Sequence, residues 1–258
     1  YFSIVWVKVF HEFGHCFACK RFGLKEGHTG EVHVLGVMLL VFTPLPYMDA
    51  SSATALRSKW RRVVVGAAGI MVELAIAAVA CILWANLQPG STLRAICYNI
   101  MFSAGTWTLL FNGNPLLRFD GYYILSDLIE IPNLHQRSRE YLYYLVKKYI
   151  WGVRNPRSSA HSPGEKAWFV FFGLASTAYR VFILFRIILF LTDRLPEQFK
   201  VIALGLAAVS AVMWACVPLY KFVRYLATSG ELSRVRRRAV LTTVIFVAAV
   251  VGGISQIR

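Results

Sequence analysis

Residues 63–87 read VVVGAAGIMVELAIAAVACILWANL, with Glu73 as the single charge. A helix needs about 20 predominantly apolar residues to cross a bilayer, so this stretch reads as a transmembrane helix. Working outward, residues 95–111, 201–220 and 239–257 carry no charge, and residues 167–191 carry only Arg180 and Arg186. Residues 1–22 are apolar except around His11-Glu12-Phe13-Gly14-His15. The pattern predicts an all-α polytopic membrane protein with about six transmembrane helices. Composition agrees, with 57% hydrophobic and 16% charged residues against about 25% charged in a soluble domain.

The connectors set the orientation. Lys20, Arg21 and Lys25 follow the first span, and Arg57, Lys59, Arg61 and Arg62 precede the second. Arg137, Arg139, Lys147, Lys148, Arg154 and Arg157 lie between the third and fourth, and Lys221, Arg224 and Arg234 to Arg238 between the fifth and sixth. The opposite connectors hold only Arg94, Arg194 and Lys200. Positive residues collect on the cytoplasmic side, which places Tyr1 outside. The net charge of +15 is then a lipid-facing charge. Because the basic residues flank apolar spans and do not interleave with aromatics, nucleic acid is excluded as a partner and membrane lipid is expected. Five cysteines, odd in number and scattered among apolar runs, exclude a disulfide framework. Tyr1 in place of Met reads as the start of a fragment, not of a signal peptide.

Residues 31–42 are rich in Val, Leu and Met and are followed by Pro44 and Pro46. They are too few to span as a helix, and read as a short membrane-associated β-hairpin between the first two spans. Residues 134–151 mix Tyr, Leu and Val with Arg and Lys, which fits an amphipathic helix on the cytoplasmic surface. The expected organisation is therefore a core at 1–125, an interfacial helix and loop at 126–165, and three further transmembrane helices at 166–258.

The chemistry sits in the first span. On a helix His11 and His15, four residues apart, share a face and can reach one metal ion. Glu12 then lies close enough to act as a base on a water that zinc activates. Ionisable groups inside a bilayer span carry an insertion penalty of roughly 2.5 to 3.5 kcal/mol when charged, and are functional by default. A catalytic zinc site takes three protein ligands. The candidate for the third is Asp120, in Asn112-Gly-Asn-Pro-Leu-Leu-Arg-Phe-Asp120-Gly121, where Gly113 and Pro115 should break the helix.

The pairing of His-Glu-x-x-His with a later Asn-x-x-Pro-x-x-x-x-Asp-Gly resembles the site-2 protease family of intramembrane zinc metalloproteases. It is closest to the bacterial peptide zinc metalloprotease branch, which the strings Pro46-Tyr47-Met48-Asp49 and Pro115-Leu-Leu-Arg-Phe-Asp-Gly-Tyr-Tyr123 also resemble. The likeness covers residues 1–135 well and the rest by hydropathy. It implies His11, His15 and Asp120 as zinc ligands, Glu12 as catalytic base and Asn112 as a substrate-orienting residue. Leu117 stands where the broader family often has a second proline, which bears on loop geometry and not on the ligand. The implied protein is a zinc endopeptidase of the bacterial inner membrane. Its active site faces the cytoplasmic half, and it acts on a membrane-embedded or membrane-associated peptide, with peptide-export components as expected partners. The competing reading is a non-proteolytic transport or peptide-export assembly subunit that retains the fold.

Three further charges lie in the spans. Lys8 shares a face with Glu12 and reads as half of an ion pair with Glu12 or Glu73. Arg180 needs a partner, for which Glu73 is the acidic residue at suitable depth. Cys19 lies four residues after His15 and reads as a buried apolar side chain. Gly66 and Gly69 read as packing glycines, and Asp49 as an N-cap.

Overall fold

The computed structural model describes residues 2–27, 32, 34–40, 43–49, 51–194, 205, 209, 213, 216, 219–233 and 235–255. The chain is mostly helical, with one two-stranded sheet, and divides into two units, Tyr1–Asn133 and Leu134–Arg258.

The first unit begins with α1 (Phe2–Lys25) and an antiparallel hairpin of β1 (Leu35–Leu40) and β2 (Thr43–Met48). The expected hairpin is therefore shifted toward the C-terminus, and Pro44 and Pro46 lie inside a strand. They pair with Leu39 and Val37, and being two residues apart they turn their missing N–H groups to the same, unpaired edge, where proline is tolerated. Asp49 Oδ1 accepts from Ser51 N at 2.9 Å and so caps the single turn Ser51–Ala55, as read from sequence.

Helix α2 (Lys59–Asn86) contains the quoted apolar stretch, and α3 (Thr92–Trp107) follows after a short turn. Among the described residues two helices are long and apolar enough to cross a membrane by length and composition, α2 and the first part (Pro163–Ile187) of α6 (Pro163–Arg194). Two of the six expected spans are matched at that level, and most of 201–220 lies outside the described residues.

Packing between α1 and α2 is close. A Cβ at Gly14 would stand 2.9 Å from both the Ala68 carbonyl oxygen and Val72 Cγ2, so only glycine lets the two backbones meet there. Cys19, Leu56 and Val65 form a buried cluster at the charged end of the pair. Cys19 Sγ lies 3.2 Å from Ser52 Oγ.

The third expected span does not run to residue 111 as an α-helix. At Thr108 it widens into a π turn, Thr108–Asn112, closed by Gly113 N donating to Thr108 O at 2.7 Å. The chain reverses over 113–119, with Asn114 Oδ1 accepting from Leu116 N at 2.9 Å, and α4 (Asp120–Leu128) runs back against α2. Arg62 pairs with Asp127 at 2.7 Å and Lys59 with Glu130 at 3.3 Å, tying the two ends of α4 and α2 together. A Cβ at Gly121 would lie 2.5 Å from the Gly113 carbonyl oxygen; the glycine after Asp120 lets the first turn of α4 close onto the reversal.

In the second unit α5 (Leu134–Leu145) continues as a π turn (Val146–Trp151) and ends at Gly152, with φ 74°. It packs on α6, with Tyr141 against Phe169. Helical residues 219–228 (α7) and α8 (Arg236–Ser255) complete it, and Trp151, Leu226, Leu232 and Ala239 form its buried cluster. The expected amphipathic helix thus exists, and its buried residues Leu134, Ser138 and Tyr141 face protein.

At the end of α1, Glu26 accepts from Arg57 N at 2.8 Å and from Arg61 Nη1 at 2.7 Å. The Arg57 backbone N–H, followed by the Arg61 guanidinium, holds its carboxyl below the usual carboxylate range. A depressed folded value means that the stability it contributes is present above the unfolded value and lost as pH falls through the folded one. Thermal unfolding in detergent from about pH 6 down to about pH 3 should therefore show a steeper acid loss for wild type than for Glu26→Gln. Parallel curves would show that the contact is not formed in solution.

Candidate metal centre

His11 and His15 project from α1 toward α2, where they are buried. Asp120, at the start of α4, meets them from the other side. His11 Nε2 lies 3.0 Å and His15 Nε2 3.5 Å from Asp120 Oδ2, and the two Nε2 atoms are 3.1 Å apart. Tetrahedral zinc at nitrogen and oxygen distances of about 2.0–2.1 Å sets its ligand atoms roughly 3.3 Å apart, so the triangle has the right size for one ion.

The protons point the same way. His15 Nδ1 donates to the Val65 carbonyl at 2.7 Å, and a neutral imidazole has one N–H, so Nε2 presents a lone pair. His11 Nδ1 lies 3.3 Å from Glu73 Oε1, in ion-pair range though out of hydrogen-bond alignment. A proton on Nδ1 is favoured beside that carboxylate, which leaves Nε2 of His11 bare as well. Asp120 Oδ2 is buried without a hydrogen-bond partner. Three acceptors facing one another at 3.0–3.5 Å repel unless a cation lies among them. The backing of each histidine by a carbonyl or carboxylate is the usual support of a metal ligand. Among the described residues His11, His15 and Asp120 are the one such group, and two imidazoles with a carboxylate fit a divalent transition-metal ion, zinc among them.

Helix α2 leaves room for an ion through Gly69. A Cβ there would lie 2.4 Å from His15 Nε2 and 2.6 Å from His11 Nε2. Gly69 is a packing glycine, as expected, and the side chains it admits are the two imidazoles of α1. No sequence signal separates it from Gly66, one turn earlier, which is a packing glycine against Ile124.

Glu12 follows His11, is half-buried, and its carboxylate makes no hydrogen bond among the described residues. Lys8, the residue expected to pair with Glu12 or Glu73, bonds Glu73 Oε1 at 2.6 Å. Glu73 is 1% exposed. Its second oxygen accepts from Thr108 Oγ1 in a short hydrogen bond and from Asn112 Nδ2 at 3.3 Å. Arg180, the other residue read as a partner for Glu73, lies in the second unit and donates Nε to the Ser176 carbonyl at 3.1 Å. Asn112 is buried, with its amide nitrogen on Glu73. Comparison with family models, curated proteins and solved structures gives no match.

Two outcomes follow. Gly69→Ala should abolish metal retention while leaving the fold intact, since alanine favours a helix by about 1 kcal/mol over glycine; Gly66→Ala, metal content and circular dichroism provide the comparison. Glu73→Ala leaves Lys8 without its counter-charge and should destabilise by roughly 3–5 kcal/mol. Much of that loss should return in Lys8→Met/Glu73→Gln when both are followed by thermal unfolding in detergent.

Proposed function

We propose that this chain is a zinc-dependent intramembrane endopeptidase of the site-2 protease type. The observation that carries the reading is the convergence of His11 Nε2, His15 Nε2 and Asp120 Oδ2 at 3.0–3.5 Å, with the unbonded carboxylate of Glu12 on the residue next to a ligand. The apolar helices α2 and α6 support a membrane-embedded protein, and six spans with basic connectors in the cytoplasm remain the best topology for the sequence. The substrate class is then a peptide or transmembrane segment reached from within or beside the bilayer.

Zinc in such a donor set supplies Lewis acidity and an activated water. Glu12 takes a proton from the attacking water at its carboxylate and delivers it to the leaving amine. Asp120 is one-fifth exposed while the histidines are buried, so water and substrate enter from the α4 side. Asn112 acts on substrate only after turning from Glu73; in the arrangement described it positions the π turn. The transport reading fits less well, because Lys8 and Glu73 bond each other and leave no unpaired charge between them to mark an ion path.

Protein purified in detergent should hold about one zinc per chain, reduced sharply in Asp120→Ala and retained in Glu12→Ala. With a peptide substrate found by cleavage profiling, Glu12→Ala should lose about 10²–10⁴-fold in rate. Zinc retained in Asp120→Ala would remove the third ligand, and undiminished hydrolysis by Glu12→Ala would exclude the base.

A further inference from the structure

The second unit contains a cavity of about 1050 Å³ that plays no part in the metal centre. One wall is α5 and its π turn, where Arg139, Tyr143, Lys147 and Trp151 follow at four-residue spacing, the repeat that aligns side chains along one helix face. The opposite wall is α7, with Lys221, Phe222 and Tyr225, and Arg157 comes from the loop that leads into α6. Trp151 packs against Phe222 and Tyr225 with ring centroids 6.0 and 6.3 Å apart, and Lys147 Nζ stands 5.0 Å from the Tyr225 ring centre. The cavity therefore combines basic and aromatic side chains in one lining.

Its charge is one-sided. Arg139, Lys147, Arg157 and Lys221 face a single carboxylate, Glu140, which already accepts from Gln136 at 2.9 Å. Among the described residues no carboxylate forms an ion pair with Arg139, Arg157 or Lys221. With four cations against one carboxylate, the site carries a net positive charge and attracts an anion.

Its position identifies the anion. Arg157 lies six residues before Pro163, where α6 begins its membrane-length apolar run, and Lys221 lies in the first turn of α7, where the uncharged run 201–220 ends and the basic stretch leading to α8 begins. Basic and aromatic side chains at the ends of apolar helices lie at headgroup level, and basic pockets between helices on the cytoplasmic side bind anionic headgroups. We propose that this cavity binds an anionic phospholipid of the cytoplasmic leaflet, its phosphodiester among Arg139, Arg157 and Lys221 and its glycerol and upper acyl carbons on Trp151, Phe222 and Tyr225. Zwitterionic lipid is disfavoured because its headgroup cation is repelled by the net positive charge of the site. The inference rests on the membrane reading and is independent of proteolysis.

The test uses the full chain in nanodiscs of phosphatidylcholine alone or mixed with phosphatidylglycerol, then released into detergent for native mass spectrometry of retained lipid. Wild type should retain phosphatidylglycerol over phosphatidylcholine, and Arg139→Gln/Arg157→Gln/Lys221→Gln should lose roughly fivefold in affinity for each basic side chain neutralised. Lys20→Gln/Arg21→Gln/Lys25→Gln, with the same change in net charge at exposed positions outside the cavity, should keep the lipid. Equal loss in both triple variants, or equal retention of the two lipids, would overturn the site. Displacement of the lipid by millimolar inorganic phosphate would reassign it to a free anion. Failure of the chain to enter either bilayer would overturn this proposal and the membrane reading together.

Discussion

A carboxylate with almost no exposure must be compensated where it lies, and Glu73 imposes that demand at the centre of the first unit. Lys8 answers it from α1, and Thr108 and Asn112 from the π turn. Lys8 and His11 are three residues apart on one helix face, so fixing the ammonium also fixes the rotation of α1, and with it the direction of both imidazoles. The contacts from Thr108 and Asn112 fix the place where α3 stops being an α-helix, which in turn sets the start of the reversal leading to Asp120. A buried ion pair is a weak source of net stability compared with apolar packing; its effect here is orientation, since both halves of the candidate metal centre are hung from it.

The backbone follows the same logic at smaller scale. Three glycines allow approaches that any side chain would block: Gly14 between α1 and α2, Gly69 beneath the histidines, and Gly121 against the reversal. Together they let α1, α2 and α4 meet closely enough for ligands from two of them to converge. The π turn adds one residue to the ring of the last helical hydrogen bond, and such bulges recur where a helix must re-aim its side chains. Here the re-aimed groups are Thr108 and Asn112, which turn inward to Glu73.

Much of this was legible beforehand, for identifiable reasons. The four-residue spacing of His11 and His15 is a property of the helix itself, so their convergence needed no tertiary information. Asp120 was readable because glycine and proline mark the break before it. The sequence leaves the partner of Glu73 between Lys8 and Arg180 because counting residues along a span gives depth and not rotation; the packing of α1 on α2 brings Lys8 to it. What Gly69 admits was invisible because a glycine in an apolar helix has the same signature whether it faces a side chain or a ligand atom. The second strand of the hairpin was missed because Pro44 and Pro46 argue against a strand until their shared unpaired edge is known.

The wide separation of the ligands along the chain has a consequence for biogenesis. His11 and His15 come together as soon as α1 forms, but two lone pairs alone hold an ion poorly. Asp120 joins them only after α2 and α3 have been made and the chain has doubled back into α4. The centre is therefore completed late during synthesis, and an ion held by all three residues reports that the reversal has docked. Before that moment the nascent chain has two imidazoles in place without the carboxylate that completes the triangle.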